Sequence, residues 1–173
     1  MRNAQLRLLR SVLNFGIKRG YLEVNPLHRL EFADVHKKEV QVIHPDIVEA
    51  MLRDALVNDP SLLPFLVLGF YAGLRPIGEL QKIRWSDISV SEKVVTVRAE
   101  VSKTRSRRFV PLSENAIAWL TKGEMKSPSH KIVPFSFNEL RNKREALWSR
   151  VGRGEWIHQG MRHTFCSCWL AKA

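Results

Sequence analysis

The sequence predicts a mainly α fold with a small antiparallel β-sheet (α+β), and three observations lead there. Apolar residues recur at helical spacing in several segments separated by turn signals. One short β-branched stretch alternates like a strand and meets a second across a polar turn, in the order helices, sheet element, helices. Of 173 residues, 45% are hydrophobic and 26% charged, enough for a core, which excludes disordered, collagen-like and mucin-like chains.

The elements follow in order. Residues 3–19 carry Leu6, Leu9, Leu13 and Ile17 on one helical stripe, and Gly20 stops it. Asn25 and Pro26 mark a turn, and the charged, aperiodic stretch after His28 reads as a connection. The expected organisation is a helical piece over 1–30, a linker over 31–43 and a main domain over 44–173. Pro45 and Asp46 open a helix with Ile47, Val48, Met51, Leu52 and Ala55 on one face. Residues 61–72 are apolar almost all round, as in a helix buried in the middle of a globule, and Gly73 breaks it. A short helical stretch is expected over 79–83. Residues 93–98 read as a strand and 107–111 as its partner. Ser113 starts a helix bearing Ile117 and Leu120, and Ser136 with Glu139 forms a capping box for another bearing Leu140, Leu147 and Val151. The last helix begins near His158; Phe165 and Trp169 on it read as core packing.

Charge narrows the partners. Lys plus Arg number 28 against 17 Asp plus Glu, a formal net charge of +11. Each cation placed on a phosphate releases a condensed counterion, so a nucleic acid is the leading partner and an evenly spread solubility charge the bland alternative. The longest apolar run, Leu62 to Leu74, is interrupted by Pro64 and Gly69 and falls short of the roughly 20 residues of a membrane span. The basic start with Arg2, Arg7 and Arg10 lacks the apolar stretch and cleavage site of a secretory signal. Cys166 and Cys168 are too close for an unstrained bridge and too few for zinc, which points to a reducing, cytoplasmic setting. No metal-ligand spacing, glycine-rich phosphate loop or serine elbow occurs.

Three ordered motifs carry a resemblance. They are Tyr71-Ala72-Gly73-Leu74-Arg75 with Glu79-Leu80 and Trp85-Ser86-Asp87-Ile88; Val101-Ser102-Lys103-Thr104-Arg105 with Arg107-Arg108-Phe109-Val110-Pro111-Leu112; and Met161-Arg162-His163-Thr164-Phe165. Together they resemble the signature boxes of the tyrosine recombinases, the phage integrase family. Leu9 to Leu27 resembles the last helix of that family's DNA-clamping, core-binding domain. The resemblance implies a tyrosine recombinase catalytic-domain fold and attack of a tyrosine on a DNA phosphodiester. A 3′-phosphotyrosine intermediate forms and another strand's 5′-hydroxyl rejoins it. It implies double-stranded DNA as partner, no metal or nucleotide cofactor, and a tetramer on DNA for a full-length protein, with a fragment monomeric.

Site residues follow from it. A phosphoryl transition state spreads negative charge over its oxygens, and planar guanidiniums can hold two at once, which assigns the clamp to Arg75 and Arg162. Lys103 would protonate the leaving 5′-oxygen, or serve only as a phosphate contact beside Arg105, Arg107 and Arg108, the expected DNA-binding residues. The family's histidine stands three residues before the second arginine, where this chain has Gln159; His158, one residue earlier, shares that helix face, and either could reach the phosphate. The family's acid stands three residues after the first arginine and Glu79 stands four after Arg75, so Glu79 is expected to orient Arg75 or to pack as a helix-start acid, not to act as a general base. The family's tyrosine lies well beyond the second arginine, whereas Tyr21 and Tyr71 are the tyrosines here, so a fragment that does not cleave by itself is expected. The alternatives are a non-catalytic DNA-binding module that keeps the clamp, or a type IB topoisomerase-like enzyme.

Overall fold

The computed structural model describes residues 2–34, 39–152, 155–157 and 159–171. The chain divides into two compact units, Met1–Glu39 and Val40–Ala173.

The first unit is helix α1, Arg2–Lys18, and the irregular return of turns after it. Polar side chains tie the return down: the Asn25 amide donates to Asn14 Oδ1 at 2.7 Å, the Arg10 guanidinium donates to the Leu27 carbonyl at 2.9 Å, and Asn3 bonds the Ala33 backbone in both directions. The apolar stripe is only partly used within this unit. Leu6 is buried, while Leu9, Val12 and Phe15 are exposed.

In the second unit the hydrophobic run becomes the centre of the fold. Helix α2, Pro45–Asn58, buries Val48, Met51, Leu52 and Ala55, the face read from its spacing. A 3-10 turn over Pro60–Leu62 feeds α3, Leu63–Tyr71, in which every residue from Leu63 to Phe70 is buried. An all-apolar helix needs partners on every side. Here these include α2, α4 (Glu114–Lys122) and α6 (Gly160–Leu170), while α5 (Phe137–Val151) packs on α2. Ser113 caps α4 by accepting from Ala116 N–H, and Ser136 with Glu139 closes the capping box of α5. At the start of the unit Ile43 is already buried, its N–H donating to Thr164 Oγ1 on α6 at 2.7 Å.

The sheet has three antiparallel strands in the order β1 (Ile88–Ser89), β2 (Val94–Val97), β3 (Arg108–Pro111). Val95 pairs with Val110 and Thr96 with Phe109, so Val95 and Val97 face the core, and on β3 Arg108 and Val110 share the more buried face. Strand β1 was not foreseen. The helix expected over 79–83 is absent: residues 76–82 form turns, because Gly78 sits at φ +97° and the Glu79 carboxylate accepts the Arg75 backbone N–H. Helix α6 begins at Gly160, after Gln159 in a left-handed conformation at φ +60°, and His158 lies outside the described residues. Phe165 and Trp169 stack with centroids 6.1 Å apart, yet Trp169 is exposed rather than part of the core.

Candidate functional site

The site begins where the buried helix must end. After Tyr71 the chain turns through Gly73 at φ +59°, and a Cβ built there would lie 2.3 Å from Phe165 Cδ1. A side chain at this position is therefore barred twice, by conformation and by the close approach of α6. The turn delivers Arg75 to the surface of the second unit and leaves the Gly73 carbonyl facing α6. Arg162 on α6 donates Nη1 to that carbonyl at 2.6 Å. Two arginines far apart in sequence are thus registered on one turn.

Glu79 registers a third. Its carboxylate, 1% exposed, accepts Arg75 Nη1 at 2.6 Å on Oε1 and Arg108 Nη2 at 2.8 Å on Oε2, besides the Arg75 backbone N–H at 3.0 Å. Burial pushes its pKa up, but the hydrogen bonds from Arg108 and Arg75 outweigh that, and the carboxyl is held below its ordinary value. Arg75 and Arg108 stay about one-third exposed. A guanidinium has five N–H donors. Anchoring one edge on Glu79 leaves another edge to face outward.

Arg75, Arg108 and Arg162 line one cleft of about 350 Å³ together with Thr104, Phe165 and Cys166. Three guanidiniums against one buried carboxylate give it a positive potential suited to an anion. The structure therefore gathers Arg75, Arg162 and Arg108.

It treats the other cations differently. Lys103 and Arg105 are exposed in the connection between β2 and β3, and Thr104, not Lys103, lines the cleft. The connection is held by a chain of hydroxyls, Ser102 to Thr104 at 3.0 Å and Thr104 to Ser106 at 2.9 Å, and bends through Arg105 at φ +52°. Arg107 points outward, its guanidinium 4.7 Å from the Phe109 ring centroid. Gln159 lines a smaller pocket on which Arg75 also borders. Sequence reasoning missed Thr104 and the tie from Arg108 to Glu79. The alternation of β3, which puts Arg108 on the inner face and Arg107 on the outer, was the available signal for the second.

Tyr71 does not line this cleft. Tyr21 belongs to the first unit and is exposed. Tyr71 accepts a hydrogen bond from the Asn115 amide at 3.3 Å and lines a separate apolar cavity of about 490 Å³, and burial pushes its hydroxyl pKa up. Among the described residues, no group of His, Cys, Asp and Glu is placed to hold a metal ion, and no helix is long and apolar enough to cross a membrane.

Fold and site define a mainly helical domain that presents converging arginines beside a three-stranded antiparallel sheet. Residues 41–172 match the Phage integrase family, and the chain belongs to that family, the tyrosine recombinases. It is 27% identical over 154 residues to the tyrosine recombinase XerD of Pseudomonas aeruginosa, a match spanning 83% of this chain and 50% of that one. It is 28% identical over 180 residues to the tyrosine recombinase XerC of Xanthomonas axonopodis pv. citri, spanning 94% of this chain and 56% of that one. The chain thus spans about half the length of these relatives. Its fold is also that of the Tn1549 transposon integrase in complex with a circular intermediate DNA, with a TM-score of 0.66 at 17% identity over 98% of this chain and 66% of that one.

Proposed function

We propose that the whole protein is a site-specific recombinase that breaks and rejoins double-stranded DNA through a 3′-phosphotyrosine, and that this chain supplies its phosphate clamp. The observation that carries the reading is the convergence of Arg75, Arg108 and Arg162 on one cleft around the buried Glu79. Arg75 and Arg162 hold the non-bridging oxygens of the scissile phosphate, where negative charge grows as a tyrosine oxygen attacks phosphorus. Glu79 is a positioning residue that fixes the facing edges of Arg75 and Arg108. As the bond to the 5′-oxygen breaks, that oxygen takes a proton from Lys103, reached by a swing of the exposed connection onto the DNA. His158, or Gln159 beside it, donates a further hydrogen bond to the phosphate. Arg105 and Arg107 contact the flanking backbone, and Arg108 adds to the clamp's field. The fold it shares with an integrase in complex with DNA supports the choice of partner. The cytoplasmic setting, a tetramer on DNA for the whole protein, and strand transfer without metal or nucleotide belong to the same proposal.

The 173-residue polypeptide, whose Tyr21 and Tyr71 fall outside the family's position for the nucleophile, is expected to bind duplex DNA without forming a covalent adduct. Anisotropy titrations should show affinity falling roughly fortyfold or more between about 50 and 200 mM salt, as for a protein that neutralises three phosphates or more. Affinity indifferent to salt would contradict the reading. In a tyrosine-bearing form, Arg75→Ala and Arg162→Ala should each abolish adducts on a nicked suicide substrate, and undiminished yield would remove them from the clamp.

A further inference from the structure

Helix α5 carries four cations whose surroundings are described, and three of them are matched. Arg141 pairs with Glu145 at 2.8 Å, Lys143 with Asp59 at 2.6 Å and Arg150 with Asp54 at 2.6 Å. Arg144 differs. Among the described residues it has no ion pair, and its Nε–H is buried without a hydrogen-bond acceptor. Its guanidinium carbon lies 4.7 Å from the Trp156 ring centroid, and Trp148 meets Trp156 edge-on at 5.2 Å, so an aromatic wall holds it in place. Half-burial lowers its pKa from the usual arginine value, and the neighbouring Glu145 carboxylate offsets this only in part. Leaving a polar group in that state is costly, and a structure that keeps it is poised for a ligand that repays the desolvation.

Arg144 opens onto a pocket of about 160 Å³ that it shares with Arg75, Phe137, Trp156 and Gln159. Among the described residues, no carboxylate lines it. Arg75 walls this pocket on one side and the three-arginine cleft on the other.

We infer that this pocket is a second anion site, which takes the DNA backbone phosphate next to the one held between Arg75 and Arg162. The ligand class follows from the lining: two guanidiniums and an amide are all donors to a phosphodiester oxygen, and Arg-phosphate bonds are among the strongest charge-assisted ones. Its source follows from the shared wall. A DNA strand carries a phosphate for about every 3.4 Å of duplex axis, so a strand seated in the cleft brings a neighbouring phosphate to a pocket one side chain away. Trp156, stacked on the Arg144 guanidinium, shields one of its faces, which strengthens the contact. The inference rests on the functional reading above.

The test is the salt dependence of duplex binding by the whole 173-residue chain. Arg144→Gln should weaken binding severalfold and reduce the slope of log affinity against log salt by about 0.9, the contribution of one phosphate contact, while Arg144→Lys should keep the slope. An unchanged slope in folded Arg144→Gln would overturn the inference and leave Arg144 a packing residue. If Arg144→Gln fails to fold, the wild-type chain decides. Labelling of Arg144 by an arginine-specific dicarbonyl, read by peptide mass, should slow severalfold when duplex is added, and equal rates would overturn the inference. A steep wild-type slope with no effect at Arg144 leaves the functional reading standing, whereas a wild-type chain without salt-dependent binding removes both.

Discussion

The cations of the cleft and those of the connection between β2 and β3 are held by different physics. Arg75, Arg108 and Arg162 emerge from a helix-ending turn, a strand and a helix, and each is tied to a buried acceptor, the Glu79 carboxylate or the Gly73 carbonyl. Lys103 and Arg105 stand exposed on a segment secured by serine and threonine hydroxyls. The first group is preorganised before any phosphate arrives and costs little further ordering when one does. The second pays its ordering on binding, a property suited to a group that engages DNA after the clamp is filled.

The comparison can be broken hardest at Glu79. Glu79→Ala leaves two guanidiniums facing each other over a buried vacancy, and should cost about 3–5 kcal/mol in chemical denaturation, the loss typical of breaking a buried charge network by removing one partner. A loss below about 1 kcal/mol would mean that the carboxylate is not the anchor described.

Gly73→Ala comes next. Positive φ and the collision with Phe165 should together cost about 1–3 kcal/mol and shift the carbonyl that registers Arg162, so DNA affinity falls along with stability. Retained affinity and melting temperature would show that the turn is free to relax.

Acid sharpens the same contrast. The folded pKa of Glu79 lies below its unfolded value, so its stabilisation is present above the ordinary carboxylate pKa and is lost as pH falls through the lower, folded one. Asp54, held down by its Arg150 hydrogen bond, contributes with the same sign. Between about pH 5 and pH 3 the wild type should therefore lose more stability than Glu79→Gln, measured by urea unfolding at each pH. Parallel losses would contradict it.

The smallest effect belongs to the exposed connection. Lys103→Ala should change stability by no more than about 0.5 kcal/mol. A larger change would show that this segment, too, is part of the packed site.

How far the sequence alone carries depends on how local each cause is. The apolar face of α2, the all-apolar α3, the Ser113 cap and the Ser136–Glu139 box are written within a few residues of where they act, and all were readable. The pairing of β2 with β3 was readable from β-branched alternation across a polar turn. Strand β1, two residues long, is too short to show a period, and the turns over 76–82 depend on Gly78 and on a carboxylate that prefers the Arg75 backbone to helix continuation. In the site, Arg75 and Arg162 were visible as motif residues. The alternation of β3 marks Arg108 as inward-facing, but that its partner is Glu79, 29 positions away, and that Gly73 would anchor Arg162, are products of tertiary packing.

A crystal structure of this chain with a short DNA duplex tests the central claim most directly. One backbone phosphate should lie with non-bridging oxygens about 3 Å from guanidinium nitrogens of both Arg75 and Arg162, with Glu79 still bonded to Arg75 and Arg108. A duplex bound along the Lys103 to Arg107 connection, with no phosphate entering the arginine cleft, would contradict it.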